Sequence, residues 1–445
     1  MLRHNRRVVI TGIGPIAAPG LGIDAIWSAL LEGRSGVALC ATYDSSGFSC
    51  PFVAQLPPGQ FDVKQVVPKS YRKATKVMAR DTELVVGGAA EAVHSAGIIT
   101  KANEPVDGRV TIPVDRMGCH IGAGLIAAEE TELTEALITS RTVDGRFDIG
   151  AWGVIGMQNL TPLWMLKYLP NMLACHVTIC HDCQGPSNTI TCGEASALLS
   201  IGESMRVIGR GHADACLSGG AESKVNLMAI LRQYYAGRLA KVSALDDPTT
   251  IVRPFAANAK GSVAGEGGGL LVLEAAETAA NRGAKVMAEL VGFGASQSFC
   301  PDTIGAEPAA DGEGISDAML SALDDAGMKP DDIDAIVPFG CGAAAMDAAE
   351  ATAIRRVFGG RAAKVPLVTI STITGSCGAG FGAVAASVAV QCLRTGMLPA
   401  RVNGDASQGV DAGPIAARQA NPKSILVCTP SLGGQNAAII LRGVS

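Results

Sequence analysis

Two segments of this chain, 192–210 and 376–394, share an unusual composition: both are rich in Gly, Ala and Ser, both follow an apolar strand-like run, and both end in an arginine with a glycine close behind. A helix with small residues on every side has no polar face to offer water and must be buried all round. Small side chains also let flanking sheets approach closely, where large ones would hold them apart. One such helix in each half predicts an α/β fold, a five-layer αβαβα sandwich built from two pseudo-repeated halves. The halves divide as residues 1–275 and 276–445, intertwined in one domain.

Elsewhere, short apolar runs alternate with helical patterns. Arg7 to Ile10 precedes a helix at Ala25 to Glu32, and Met117 to Ile121 precedes one at Glu129 to Ser140. Further strands are expected at Ala213–Glu222, Gly269–Glu274 and Met287–Gly294, then at Asp334–Val337, Leu367–Ile370, Ser424–Cys428 and Ala437–Leu441. With 445 residues, 48% of them hydrophobic and 17% charged, the chain has the material for an extensive core.

A formal net charge of -5 argues against nucleic-acid binding, and no Lys/Arg run suggests a lipid-binding patch. The basic start, Met1 to Gly14, turns apolar too briefly for a signal peptide and reads as a first strand. Val365 to Leu393 is uncharged, but Gly375, Gly378, Gly380 and Gly382 interrupt it, so it is expected to be buried strand and helix and not a membrane span. Thirteen scattered cysteines, an odd number, suit free thiols in a reducing cytoplasm.

The run Gly185 to Ser196 is extended and then turns abruptly into a small-residue helix, an arrangement that presents a nucleophile at a helix N-terminus. Together with Arg6 to Gly14, Leu31 to Gly36, Asn171-Met172, Gly219-Gly220-Ala221-Glu222, Arg253-Pro254-Phe255 and Gly265 to Gly269, it resembles, in order, the signatures of beta-ketoacyl synthases. The resemblance covers nearly the whole chain and implies a thiolase-like fold. In that family the elbow carries a cysteine that holds the acyl chain as a thioester, assisted by two histidines and a lysine.

The resemblance puts Glu194 at the cysteine position, Phe339 and Ser376 at the histidine positions, and Ser371 at the lysine position. Leu432 stands for the phenylalanine of the gating loop. A carboxylate forms no stable thioester, so no catalytic residue is expected in this chain. Scaffold kept and reaction removed is a pattern similar to the chain length factor subunit of type II polyketide synthases. The implied partners are an active beta-ketoacyl synthase, in a heterodimer, and acyl carrier protein through that complex, with no cofactor or metal. The strand Pro186 to Thr191, with Pro186, Asn188 and Ile190, is expected at the dimer interface, and Leu125, Ile126, Leu133 and Leu137 toward the tunnel end.

Chain length factors usually carry glutamine where this chain has Glu194, which either stays ionised through the helix dipole and backbone N–H groups or is protonated by desolvation. Two alternatives stand beside this reading. One is an unconventional acyltransferase or malonyl decarboxylase using Cys192 or Glu194; the other is a homodimeric pseudoenzyme scaffold. The cluster Cys175, His176, Cys180, His181 and Cys183 invites a zinc reading. Its segment, however, resembles a family strand, whose alternate side chains point to opposite faces. His94 and His212 read as solvated, and Gly209-Arg210-Gly211 and Gly265-Glu266-Gly267 as backbone turns lacking a phosphate-loop context.

Overall fold

The computed structural model describes residues 6–103, 108–299 and 308–444, so the first five residues of the basic start lie outside it. Nine strands frame the site. In the first half these are β1 (Val8–Ala17), β2 (Met117–Ala123), β3 (Ser187–Ile190), β4 (Ala215–Ser223) and β5 (Ala264–Ala275). In the second they are β6 (Ala288–Gln297), β7 (Ala335–Val337), β8 (Ser424–Pro430) and β9 (Gln435–Arg442).

The repeat is visible in the strand order. The first half runs β1-β5-β4-β2-β3, with two antiparallel pairings followed by two parallel ones. The second runs β6-β9-β8-β7 with two antiparallel pairings and one parallel, and Leu367 then adds a parallel bridge to Ile336 where β3 would stand. Antiparallel contact between Val8–Ile10 and Ala288–Leu290 joins the two sets. Leu367–Ile370 therefore holds the expected position but is no strand. It makes one isolated bridge before the chain enters the helical turn Ser371–Thr374, which leaves no length for a ladder.

Helices α1 (Arg80–Ala96) and α2 (Met172–His181) cover the first set of strands. α3 (Ser196–Gly209) is central, α4 (Glu313–Ala326) and α5 (Ala344–Phe358) cover the second set, and α6 (Phe381–Thr395) is central beside α3. The thiolase-like five-layer sandwich is thus present. Strand alternation feeds three apolar layers: Leu271 and Leu273 join the central helices, while Leu270 and Val272 face α1 and α2. Likewise Ile439 and Leu441 point inward, and Ala438 and Ile440 outward. Each large side chain so buried contributes about 1.5–3 kcal/mol. The small-residue rule holds at the crossing of the central helices, where a Cβ on Gly382 would lie 2.9 Å from Leu198 Cγ.

A second expectation is overturned. Residues 174–179 are not a strand but lie within α2, whose Leu173, Ala174, Val177, Cys180 and His181 are buried at helical spacing. The β-branched run Val177-Thr178-Ile179 favours a strand locally, and packing of that helical face against the core overrides it.

Candidate functional site

After β3 the chain turns through Thr191 and Cys192 into a single 3-10 turn, Gly193–Ala195, and then into α3. Ser196 fixes the turn: its Oγ accepts the Cys192 amide at 2.8 Å and donates to the Gly193 carbonyl at 2.7 Å. Glu194 is thereby held at the head of the central helix with only 4% of its surface exposed.

Lys224 Nζ donates to Glu194 Oε1 at 3.2 Å, and Arg238 Nη1 lies 3.5 Å from the same oxygen. Burial alone would protonate this carboxyl, but Lys224 and Arg238 override it and hold the group down at about 2. The site resolves the two options in favour of a carboxylate. Lys224 loses hydration through burial, yet Glu222 and Glu194 keep it charged. Glu222 is pushed up by burial, opposed by Lys224 and by the Ala379 amide, which donates to it at 2.6 Å. Gly378, at φ 50°, makes room for it, since a Cβ there would fall 1.8 Å from Glu222 Oε2.

Lys224 and Arg238 are partners of Glu194 that sequence reasoning missed. The available signal for Lys224 was its spacing of two from Glu222 at the end of a fully buried strand, which puts both side chains on one face. No comparable signal marked Arg238.

The structure gathers Glu194, Phe339, Ser376 and Leu432 around a single cavity of about 20 Å³. That is room for little more than a water molecule between these four side chains, and Glu194 also lines a larger cavity. The Phe339 ring packs edge-on against Phe381, centroids 4.8 Å apart. Ser371 is not brought to this cavity; it is buried behind the Phe339 loop and donates to the Gly340 carbonyl. Glu350 anchors that loop by accepting the Phe339 and Gly340 amides, both at 2.9 Å. Asp347 accepts from Gly342 at 3.1 Å and from Phe255 at 2.8 Å. Burial pushes Asp347 up to about 7 and Glu350 to about 8, against these amides.

Two larger cavities flank this point. The inner one, about 420 Å³, is lined by Leu125, Cys192, Glu222, Arg232 and Gln435 among others. The outer one, about 520 Å³, has Lys241, Lys260 and Met346 in its wall. Arg238 belongs to the lining of all three cavities, and Leu432 to that of the small and outer ones.

Of the four residues expected toward the tunnel end, Leu125 lines the inner cavity. Ile126 turns the other way into the apolar layer under α1 and α2, as neighbours in extended chain do. Leu133 and Leu137 sit on the helix Glu130–Thr139, away from the cavity lining, with Leu137 exposed. The Cys192 thiol is pushed up by burial, which favours the unreactive protonated form. Pro186 precedes β3, whose Asn188 and Ile190 lie on the last strand of the sheet.

The cysteine and histidine cluster on α2 diverges. His176 Nδ1 meets the Tyr71 hydroxyl at 2.8 Å, whereas His181 Nδ1 meets Thr100 Oγ1 at 2.9 Å. Among the described residues no group of three or more His, Cys, Asp or Glu side chains is placed to hold a metal ion. Nor is any described helix long and apolar enough to cross a membrane.

Two family models match the chain: the N-terminal domain of beta-ketoacyl synthase over residues 5–279 and its C-terminal domain over residues 287–405. A 3-oxoacyl-[acyl-carrier-protein] synthase 2 of Vibrio cholerae is 30% identical over 442 residues, 98% of this chain and 99% of that protein. The Staphylococcus aureus protein of the same description is 28% identical over 444 residues, 99% of each. Among solved structures, the ishigamide ketosynthase/chain length factor superimposes with a TM-score of 0.81 at 27% identity, covering 99% of this chain and 100% of that one. A beta-ketoacyl synthase from Burkholderia phymatum gives 0.82 at 26% identity, with the same coverage.

Proposed function

The chain belongs to the beta-ketoacyl synthase family, and within it we propose a catalytically silent subunit that pairs with an active beta-ketoacyl synthase and shapes the cavity in which that partner extends an acyl chain borne on acyl carrier protein. The observation that carries this reading is the ionised Glu194, locked to Lys224 and Arg238, at the position that the sequence resemblance assigns to the family's acyl-bearing cysteine. Attack by this carboxylate on a thioester would give an anhydride more reactive than the thioester it replaced, so no acyl group would be stored. Decarboxylative condensation also needs donors aimed at the developing enolate and oxyanion. Phe339 and Ser376 supply an aromatic ring and a hydroxyl at the positions of the two imidazoles, and Ser371 a hydroxyl in place of the ammonium.

Similarity to the ishigamide ketosynthase/chain length factor supports the general kind, a component of type II polyketide or specialised fatty-acid assembly. The high Cys192 thiol weighs against the rival reading of an acyl-cysteine enzyme. The test is to supply the chain, alone and with candidate synthases, with acyl- and malonyl-loaded acyl carrier protein and to follow products by mass. The reading requires no carbon–carbon bond formation by the chain alone and extension by the complex. Sustained condensation by the isolated chain would overturn it.

A further inference from the structure

A separate cavity of about 320 Å³ lies across the end of β4 from Glu194. Because strand residues alternate, Glu222 and Lys224 face the inner cavity while Ser223 and Val225 face this one. The segment 55–61 and the first turn of α1 supply much of its wall.

Three carboxyl groups, Asp81, Glu129 and Glu266, line it with one cation, Arg80. Arg80 is already committed: it grips Glu266 with two bonds of 2.9 Å and reaches Glu83 at 3.0 Å. Glu266 is saturated as well, accepting the Leu56 amide at 3.0 Å and the Ser223 hydroxyl at 3.2 Å. Asp81 is left without a cation from the cavity wall, while Glu129 is met by the Asn226 amide and feels Lys167 from outside that wall. Asp81 is 3% exposed and its Oδ1 has no hydrogen-bond partner, the kind of buried orphan that calls for an explanation. Burial, with Glu222 and Glu266 nearby, pushes Asp81 up to about 8, and burial also raises Glu129.

A metal ion does not suit the donors, since among the described residues no three carboxylates, imidazoles or thiols converge closely enough. A primary ammonium does. It carries three N–H donors on a compact charge, to be met by the two carboxylates and the second lone pair of the Gln55 amide oxygen, which already accepts the Thr42 hydroxyl at 2.9 Å, with its alkyl part against Phe61.

We propose that this cavity binds a small protonated amine between Asp81 and Glu129. The inference is independent of the role given to Glu194, because it rests on the opposite face of β4 and is read by binding alone. Calorimetric titration of the full chain with butylamine hydrochloride, and with 1-butanol as the neutral analogue, separates recognition of charge from burial of the alkyl group. Butylammonium should bind at least about tenfold more tightly than butanol, and Asp81→Asn and Glu129→Gln should each weaken it by about tenfold or more. Thermal melts verify that the variants fold, and the half-buried Glu129 serves if Asp81→Asn does not. Equal binding of the two probes, unchanged binding in the folded variants, or no binding of butylammonium at about 20 mM would overturn the proposal.

Discussion

Lys224 Nζ sits 3.2 Å from Glu194 Oε1, and neither side chain is more than 7% exposed. Removing two ions from water costs several kcal/mol each, and their mutual attraction recovers this only when further partners complete the site. Arg238 on one side and Glu222 on the other supply that completion. At the position that the proposed reading assigns to the family's acyl-bearing cysteine, the cluster puts a fixed carboxylate in place of a thiol.

Breaking the pair from either side should therefore be costly, and unequally so. Lys224→Met leaves Glu194 buried with Arg238 alone and should destabilise the chain by about 3 kcal/mol. Glu194→Gln leaves Lys224 still beside Glu222 and should cost less, about 1–2 kcal/mol. The double variant Lys224→Met/Glu194→Gln should lose less than the two single losses combined, because the charge at position 194 is no longer stranded, although Glu222 still loses Lys224. Urea unfolding of the four proteins measures this; a double variant whose loss equals the sum of the single losses would mean that the two residues are not coupled.

Stability should depend on pH in two opposite ways. Glu194 lies at about 2 in the fold against an ordinary 4.5, so its contribution is present above about pH 4.5 and lost as pH falls toward 2. Asp347 and Glu350 are raised to about 7 and about 8, so the fold favours their protonated forms and loses stability as pH rises from about 4 to about 8. Melting temperatures measured from pH 3 to pH 9 should peak in mild acid. Glu350→Gln, though less stable overall, should flatten the alkaline side and leave the acid side unchanged, while Glu194→Gln should do the reverse.

The fold was legible where composition is forced by geometry. Small residues recur in α3 and α6 because the helices nearly touch at Leu198 and Gly382. Local propensity misled at Val177-Thr178-Ile179, where a strand-like run lies in a helix held by its buried face. Glu194 could be found because it occupies a recognisable elbow. Its charge state could not, because Lys224 follows the end of β4, thirty residues further on, and meets it only in the folded chain. The direction of Ile126 was likewise hidden, since neighbours in extended chain diverge and nothing local says which one turns inward.

Restoring the nucleophile alone should not restore condensation. In Glu194→Cys the new thiol would face Lys224 and Arg238, which favour its thiolate, so iodoacetamide should label it faster than Cys192, whose thiol is raised by burial. Phe339, Ser371 and Ser376 would still offer neither imidazole nor ammonium, and no 3-oxoacyl product should form. Peptide mass spectrometry and product analysis read the two effects separately. Product from this single variant would show that the Phe339 position does not block the reaction.

The edge strand β3 offers a test of association that leaves the sheet intact. Cys119 donates to the Pro186 carbonyl at 3.0 Å, and β3 runs parallel to β2. Backbone groups in a strand point alternately to its two sides, so the Asn188 peptide groups turn toward β2 and the Thr189 amide toward the outer edge. Thr189→Pro thus removes one outward donor and no bond to β2, a position where proline is tolerated in a sheet. If β3 pairs with a second subunit, this variant should associate at least about tenfold more weakly, because a ladder bond is lost and the ring obstructs close approach. Thr189→Val, which keeps the amide, should associate as the unaltered chain does. Sedimentation across a concentration series, alone and with a synthase partner, gives the affinities, while circular dichroism verifies the fold. Equal association of the proline and valine variants would place the contact surface elsewhere than β3.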